Sequence, residues 1–131
     1  MSVLKAFNSH LLEFLDDIIQ VFPKDIDLKA TRLFLYGMTK AKPRGIIKIW
    51  KLYFIGSYKK QIEAGNFSFF IEKDYTEDVG EGFEGNKNEL LASINQMRIK
   101  IRDMEDINKQ KSMKYIQNLT KLCNLYFIDK A

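Results

Sequence analysis

The chain has 131 residues, of which 46% are hydrophobic and 29% charged, and its formal net charge is +4. This length predicts a single domain over residues 1–131, and the composition excludes an intrinsically disordered chain. A single cysteine excludes an intramolecular disulfide framework, and a single histidine excludes zinc sites that need two histidines from one chain.

The first 40 residues have the apolar spacing of two helices. In the first helix, apolar residues recur every three or four positions up to Phe22. Pro23 ends this helix, because proline disfavours helical backbone at the residue before it. Asp25 or Asp27 can cap the second helix, which runs to about Thr39.

The middle of the chain predicts a third helix, an aromatic segment and a loop. Pro43 suits the first turn of a helix that carries Trp50. Gly56 and Ser57 allow a kink or a stop in this helix, and a continuation runs to Gly65, which can terminate it. Residues 66–75 are rich in aromatic side chains that alternate poorly, which favours one or two helical turns over a strand. Residues 76–88 are acidic and contain glycine, and they predict a loop.

The C-terminal third has the most regular apolar pattern. Steps of four and three residues form a seam that consists of Leu90, Ile94, Met97, Ile101 and Met104. Asp106 or Asn108 interrupts the seam, and a last helix follows. The short connection predicts a C-terminal antiparallel helix hairpin. The fold class is therefore all-α, a compact bundle of about five helices plus a short aromatic-rich helical segment.

Three motifs match functional sites only in part. Residues 80–85 have the spacing GxGxxG, but no buried strand precedes them and their acids would repel phosphate. Residues 74–85 resemble a calcium loop without its required glycine and bidentate glutamate. Cys123 and His10 are formally a nucleophile and a base, yet Cys123 falls on an apolar helix stripe. We predict a non-enzyme with no catalytic, cofactor-binding or metal-binding residues and no small-molecule substrate.

The charges are segregated along the chain. Residues 28–62, the basic segment, carry nine bases and no acid, whereas residues 63–89, the acidic segment, carry eight acids and two bases. The flanking residues 1–27 and 90–131 have net charges of −3 and +4. Such segregation is unusual for a well-mixed protein surface.

Seven bases of the basic segment are candidate interaction residues. They are Lys40, Lys42, Arg44, Lys48, Lys51, Lys59 and Lys60. Arg44, Lys48 and Lys51 have helical spacing and share one face. The patch can bind phosphates, an acidic protein or the acidic segment of the same chain. In the remaining alternative, it is a solvated helix pair with a local excess of bases.

The order of helix ends and aromatic anchors is a further feature of the sequence. Over residues 7–127 it comprises Phe22-Pro23, Lys42-Pro43, an Ile-Trp-rich helix, Tyr58, Ile62, Phe69-Phe70, Asp74-Tyr75 and Tyr115-Ile116-Gln117-Asn118-Leu119. This order resembles small helical proteins of unassigned function from nucleocytoplasmic large DNA viruses of algae and protists. The resemblance implies a virus-encoded protein of the host cytoplasm or viral factory, packaged in the virion or accessory to it. It supplies no functional residues.

These observations predict a non-enzymatic protein-interaction module that binds a protein partner or itself, expected as a viral structural or accessory protein. The aromatic side chains from Trp50 to Phe70 exceed what one small core is expected to bury, which predicts that some of them form a contact surface. The alternative is a sequence-independent nucleic-acid-binding accessory protein that contacts phosphates through the basic segment. No apolar run approaches the roughly 20 residues of a membrane span, so we expect an intracellular protein with no membrane partner.

Overall fold

A computed structural model describes residues 2–52, Lys60, Ala64 and residues 86–128, and within the last range it leaves out the side chains of residues 86–91 and 94. These ranges contain five helices: α1 (Val3–Val21), α2 (Ile26–Ala41), α3 (Gly45–Trp50), α4 (Asn86–Arg102) and α5 (Asp106–Ile128). The five helices pack against one another, so the predicted all-α bundle is confirmed. The continuation of α3 towards residue 65, the aromatic segment 66–75 and the loop up to residue 85 lie outside the described residues.

Side-chain caps set the first boundaries in the bundle. Ser2 caps α1 by accepting a hydrogen bond from the Lys5 backbone N–H at 3.3 Å. Asp25 caps α2, since its Oδ1 accepts from the Leu28 N–H at 3.0 Å, and Asp27 lies in the first turn instead. Only residues 22–25 connect α1 to α2, which makes the two helices antiparallel neighbours.

The core lies between α1 and the helices around it. The main contact of α5 is with α1, and the main contact of α4 is with α2. Ten of the most deeply buried side chains come from all five helices: Phe7, Phe14, Leu15, Ile18, Leu28, Leu35, Ile46, Ile47, Ile101 and Ile116. None of the helices in the described ranges is long and apolar enough to cross a membrane.

The predicted seam is buried at Met97 and Ile101 of α4 and at Met104, which lies in the connection 103–105 between α4 and α5. An ion pair between Lys100 and Asp25 places the C-terminal end of α4 at the N-terminal end of α2. Asn108 and Lys111 of α5 line a cleft together with Gln20 and Val21 of α1, so α5 begins beside the C-terminal end of α1 and runs in the direction opposite to α4. Each of them packs chiefly on an N-terminal helix rather than on the other.

The start of α4 differs from the sequence prediction. The helix begins at Asn86, inside the loop predicted over 76–88. The first turn of a helix needs no apolar side chain, and its N–H groups have no intrahelical acceptors. The polar residues 86–88 therefore carried no apolar signal that could mark the start of α4.

Candidate functional site

The apolar side of α3 is anchored in the bundle. Ile46, Ile47 and Trp50 are all buried. The indole Nε1 of Trp50 donates a hydrogen bond to the Thr120 Oγ1 of α5 at 3.0 Å. The same indole packs edge-to-face on Phe7 of α1, with 5.8 Å between ring centroids. Helix α3 is therefore attached to both α1 and α5.

The turn between α2 and α3 is held in place as well. Asn8 of α1 donates from Nδ2 to the backbone carbonyl of Pro43 at 3.0 Å. Within the turn, the Gly45 N–H donates to the Lys42 carbonyl at 2.9 Å. These hydrogen bonds hold the backbone of the turn in place, and α3 is attached to α1 and α5. The positions from which the outward side chains project are therefore fixed.

The outward side chains form what we define as the basic surface: Lys40, Lys42, Arg44, Lys48 and Lys51. All five are exposed. Among the described side chains, no carboxylate forms an ion pair with any of the five. The Arg44, Lys48 and Lys51 spacing predicted from the sequence falls on the solvent side of α3, opposite its buried isoleucines.

An apolar edge adjoins the basic surface at the end of α3. The Lys51 ammonium lies 4.4 Å from the ring centroid of Phe127 on α5, which is a cation–π contact. The next residues along the chain, Leu52 and Ile128, are 61% and 68% exposed. Two exposed aliphatic side chains thus directly follow the two residues of the cation–π contact at this end of the basic surface.

The other bases of the basic segment have different surroundings. Arg32 is paired with Asp16 of α1 at 2.7 Å and therefore does not belong to the basic surface. Lys60 is exposed, and Lys59 lies outside the described residues. The acidic side chains of residues 63–89 lie outside them too, so pairing of the basic and acidic segments stays a prediction.

The aromatic contact surface predicted from the sequence does not include Trp50. Its side chain is only 3% exposed and belongs to the core. A single tryptophan at helical spacing is equally consistent with burial or exposure, and the acceptor on Thr120 makes burial favourable here. The other aromatic residues of that group, between residues 53 and 70, lie outside the described residues.

A polar aromatic stack between α1 and α5 was not predicted from the sequence. The Tyr115 ring stacks on Phe14 at 4.9 Å and lies against His10 at 4.8 Å. Its hydroxyl donates to Asp17 Oδ2 at 2.5 Å, beside a cleft of about 400 Å³. Burial, supported by this hydrogen bond, raises the pKa of Tyr115 to about 12, so the phenol is a hydrogen-bond donor at neutral pH. No local spacing could predict a contact between residues so distant in the chain.

The described contacts do not join the formal nucleophile Cys123 to His10. Cys123 is fully buried with its Sγ 3.5 Å from the Ile47 carbonyl oxygen, and burial raises the pKa of the thiol to about 12. His10 instead lies 3.4 Å from Glu13 and against Tyr115. A search of the described part of the chain finds no group of three or more metal-ligating side chains. The motifs at 74–85 lie outside that part.

No protein-family model, curated protein or solved structure matches this chain.

Proposed function

We propose that this chain is a non-enzymatic interaction module that binds an acidic, partly apolar protein segment through the basic surface. The observation that carries the proposal is the set of five exposed bases on a fixed turn and helix, with no ion-pair partner among the described side chains. Opposite charge on a partner accelerates encounter and sets its register.

The apolar edge favours a protein partner over a nucleic acid. Leu52 and Ile128 give an aliphatic side chain of the partner a place to bury, which is worth about 1.5–3 kcal/mol for a leucine-sized group. A phosphate backbone gains nothing comparable from aliphatic neighbours. The second candidate is sequence-independent binding of nucleic acid, which the cationic α3 face favours because Arg44, Lys48 and Lys51 span about 10 Å of helix.

Fluorescence anisotropy with two labelled probes tests the proposal. One probe is a peptide of alternating glutamate and leucine, and the other is a mixed-sequence DNA duplex. Replacing Arg44, Lys48 and Lys51 with glutamate should weaken peptide binding by at least about tenfold, since like charges then oppose the acidic probe. The control replaces three exposed lysines of α5, which are Lys111, Lys114 and Lys121, with glutamate. It changes the net charge equally and should leave the affinity within about threefold.

A second variant separates the two partner classes. Leu52→Ser removes an exposed aliphatic side chain and should leave the stability of the fold nearly unchanged. It should weaken the peptide by roughly 5–10-fold, through lost apolar burial, and leave duplex binding unchanged. If the protein binds the duplex more tightly than the peptide, and Leu52→Ser does not change peptide binding, the second candidate, binding of nucleic acid, is the function. No binding of either probe at about 50 mM salt would refute both candidates.

The biological setting rests on the sequence resemblance alone. We propose that the module acts as a structural or accessory protein of a large DNA virus, in the host cytoplasm or viral factory, and is packaged in the particle. Mass spectrometry of purified particles and of infected-cell fractions tests this setting. A gene for this chain located in a cellular genome, away from viral genes, would contradict it.

A further inference from the structure

The cleft beside Tyr115 has the size and the lining of a small-molecule site. It lies between the C-terminal half of α1 and the N-terminal half of α5, and its volume of about 400 Å³ falls within the roughly 300–1,000 Å³ that is typical of ligand pockets. Phe14 and Ile18 of α1 line it together with Met104, and all three side chains are buried. Polar side chains from both helices complete the lining. We define this space as the α1–α5 cleft.

Among the described residues, two charged side chains line the α1–α5 cleft, one from each helix. They are Asp17 of α1 and Lys111 of α5, and none of the ion pairs between described side chains joins them or includes Lys111. The Tyr115 hydroxyl holds Asp17 at Oδ2, and within the described part of the chain Oδ1 has no hydrogen-bond partner. The cleft therefore offers a ligand both a carboxylate oxygen and an ammonium group.

The neighbouring charged side chains do not line the α1–α5 cleft. Asp16 pairs with an arginine of α2, and Glu13 lies against the histidine of α1. Lys114 borders only a smaller adjacent cleft of about 170 Å³, which Asp17 and Lys111 also border. The described lining of the α1–α5 cleft thus carries one charge of each sign and no net charge.

The two helix ends at this cleft have partial charges in the same arrangement. Gln20 and Val21, in the last turn of α1, line the cleft, and so does Asn108, in the first turn of α5. The C-terminal end of a helix is partially negative and the N-terminal end is partially positive. A ligand cation is therefore favoured on the α1 side, where Asp17 lies, and a ligand anion on the α5 side, where Lys111 lies.

Ser112 of α5 supplies a buried hydroxyl that a ligand can use. Ser112 is 4% exposed and lines the α1–α5 cleft. Its hydroxyl donates to the thioether sulfur of Met104 at 3.7 Å, and a thioether is a weak acceptor. A carboxylate oxygen accepts a stronger hydrogen bond, so the hydroxyl gains when it donates to an anionic group of a ligand instead.

We propose that the α1–α5 cleft binds an α-amino acid with an apolar side chain, as a ligand and not as a substrate. The carboxylate of the ligand contacts Lys111 and the Ser112 hydroxyl, and its ammonium group contacts Asp17. Its side chain packs on Phe14 and Ile18. The cleft has the volume of about 13 water molecules, which suits leucine or phenylalanine with their roughly 9–12 non-hydrogen atoms.

The exposure of both charged groups predicts weak binding. Asp17 and Lys111 are exposed, and exposed ion pairs contribute little free energy. Burial of the apolar side chain of the ligand supplies most of the affinity. We therefore expect a Kd on the order of 0.1–1 mM.

NMR titrations of the isotope-labelled full chain with three related compounds test the proposal. Phenylalanine carries both charges, phenylalaninamide lacks the carboxylate, and N-acetylphenylalanine lacks the ammonium group. The backbone amide signals of Gln20, Asn108 and Ser112 should shift saturably with phenylalanine. Each analogue should bind roughly 3–5-fold more weakly, because it loses one charge-assisted contact.

Charge-specific variants identify the two contacts. Lys111→Met should remove the preference for phenylalanine over phenylalaninamide, and Asp17→Asn should remove the preference over N-acetylphenylalanine. Lys114→Met and Glu13→Gln are the matched controls, because these exposed side chains lie on the same helices but outside the cleft, and both preferences should persist in them. A change in stability alone would weaken all three compounds equally.

Several results would overturn the proposal. They are no saturable shift up to about 10 mM, equal binding of the three compounds, or tighter binding of either analogue than of phenylalanine. Loss of a preference in a control variant would also contradict the assigned contacts. Lys111→Met should leave peptide binding by the basic surface intact, so this proposal and the proposed function can fail independently.

Discussion

The hydrogen bond from Trp50 to Thr120 attaches α3, and with it the basic surface, to α5, and Thr120→Val measures its contribution. Both side chains are buried, at 3% and 4% exposure. Valine keeps the shape of threonine but removes the acceptor of the indole N–H. Loss of a partner by a buried donor costs about 1–3 kcal/mol, which corresponds to a fall in Tm of roughly 3–10 °C for a domain of this size.

A matched control exists in α2. The Thr120 hydroxyl also donates to the Ile116 carbonyl of its own helix at 2.9 Å, and the Thr39 hydroxyl similarly donates to the Tyr36 carbonyl at 2.7 Å. Thr39→Val therefore loses the same kind of intrahelical bond without an indole partner, and should change stability by no more than about 0.5 kcal/mol.

Urea denaturation followed by circular dichroism gives the two differences in free energy of unfolding. Tryptophan fluorescence reports on the site itself, since Trp50 is the only tryptophan. A double-mutant cycle of Trp50→Phe with Thr120→Val should show a coupling of about 1 kcal/mol. Equal costs for Thr120→Val and Thr39→Val, together with no coupling in the cycle, would refute the assigned role of this hydrogen bond.

Three further predictions concern titratable groups. The hydrogen bond from Lys100 lowers the pKa of Asp25 in the folded protein below its ordinary value of 3.8. This pair therefore stabilises the fold at pH values above 3.8. The stabilisation is lost as the pH falls through the lowered pKa of Asp25. The difference in Tm between the wild type and Asp25→Asn should accordingly be present at pH 7 and close in acid. Burial raises the pKa of Tyr115 to about 12. In an alkaline titration, the absorbance difference between the wild type and Tyr115→Phe should therefore have its midpoint near that pH. Asp17→Asn removes the charged hydrogen-bond acceptor and should lower the midpoint. Cys123 should react with a thiol reagent only after unfolding, because it is fully buried and burial raises its pKa to about 12.

Local chemistry explains which parts of the fold were predictable. Pro23 and the capping aspartates mark the junction of α1 and α2 within a few residues, because the signals that end and begin helices lie beside the boundary. The choice between Asp25 and Asp27 required the structure, since either side chain can cap a helix. Only the hydrogen bond to the Leu28 N–H distinguishes them.

The candidate site was predictable in its helix face but not in its surroundings. The spacing of Arg44, Lys48 and Lys51 fixes a common direction whatever the helix packs against. The contact of Lys51 with Phe127, by contrast, depends on how α3 and α5 meet. Periodicity describes each helix separately, so it predicts which side of α3 is polar without identifying the residues beside it.

The direction of α1 and α2 explains why the basic surface lacks ion-pair partners among the described side chains. The acids of α1 lie in its C-terminal half, and the antiparallel α2 presents Arg32 to Asp16 there. The basic end of α2 and the following turn lie beside the N-terminal half of α1, where Asn8 contacts Pro43. Residues 1–12 of that half contain Lys5 and no acid. Asp16 therefore pairs with Arg32 in the first part of the basic segment, and among the described side chains no acid of α1 forms an ion pair with the basic surface. Charge counts along the sequence could not reveal this division, because it arises from the order and direction of the helices.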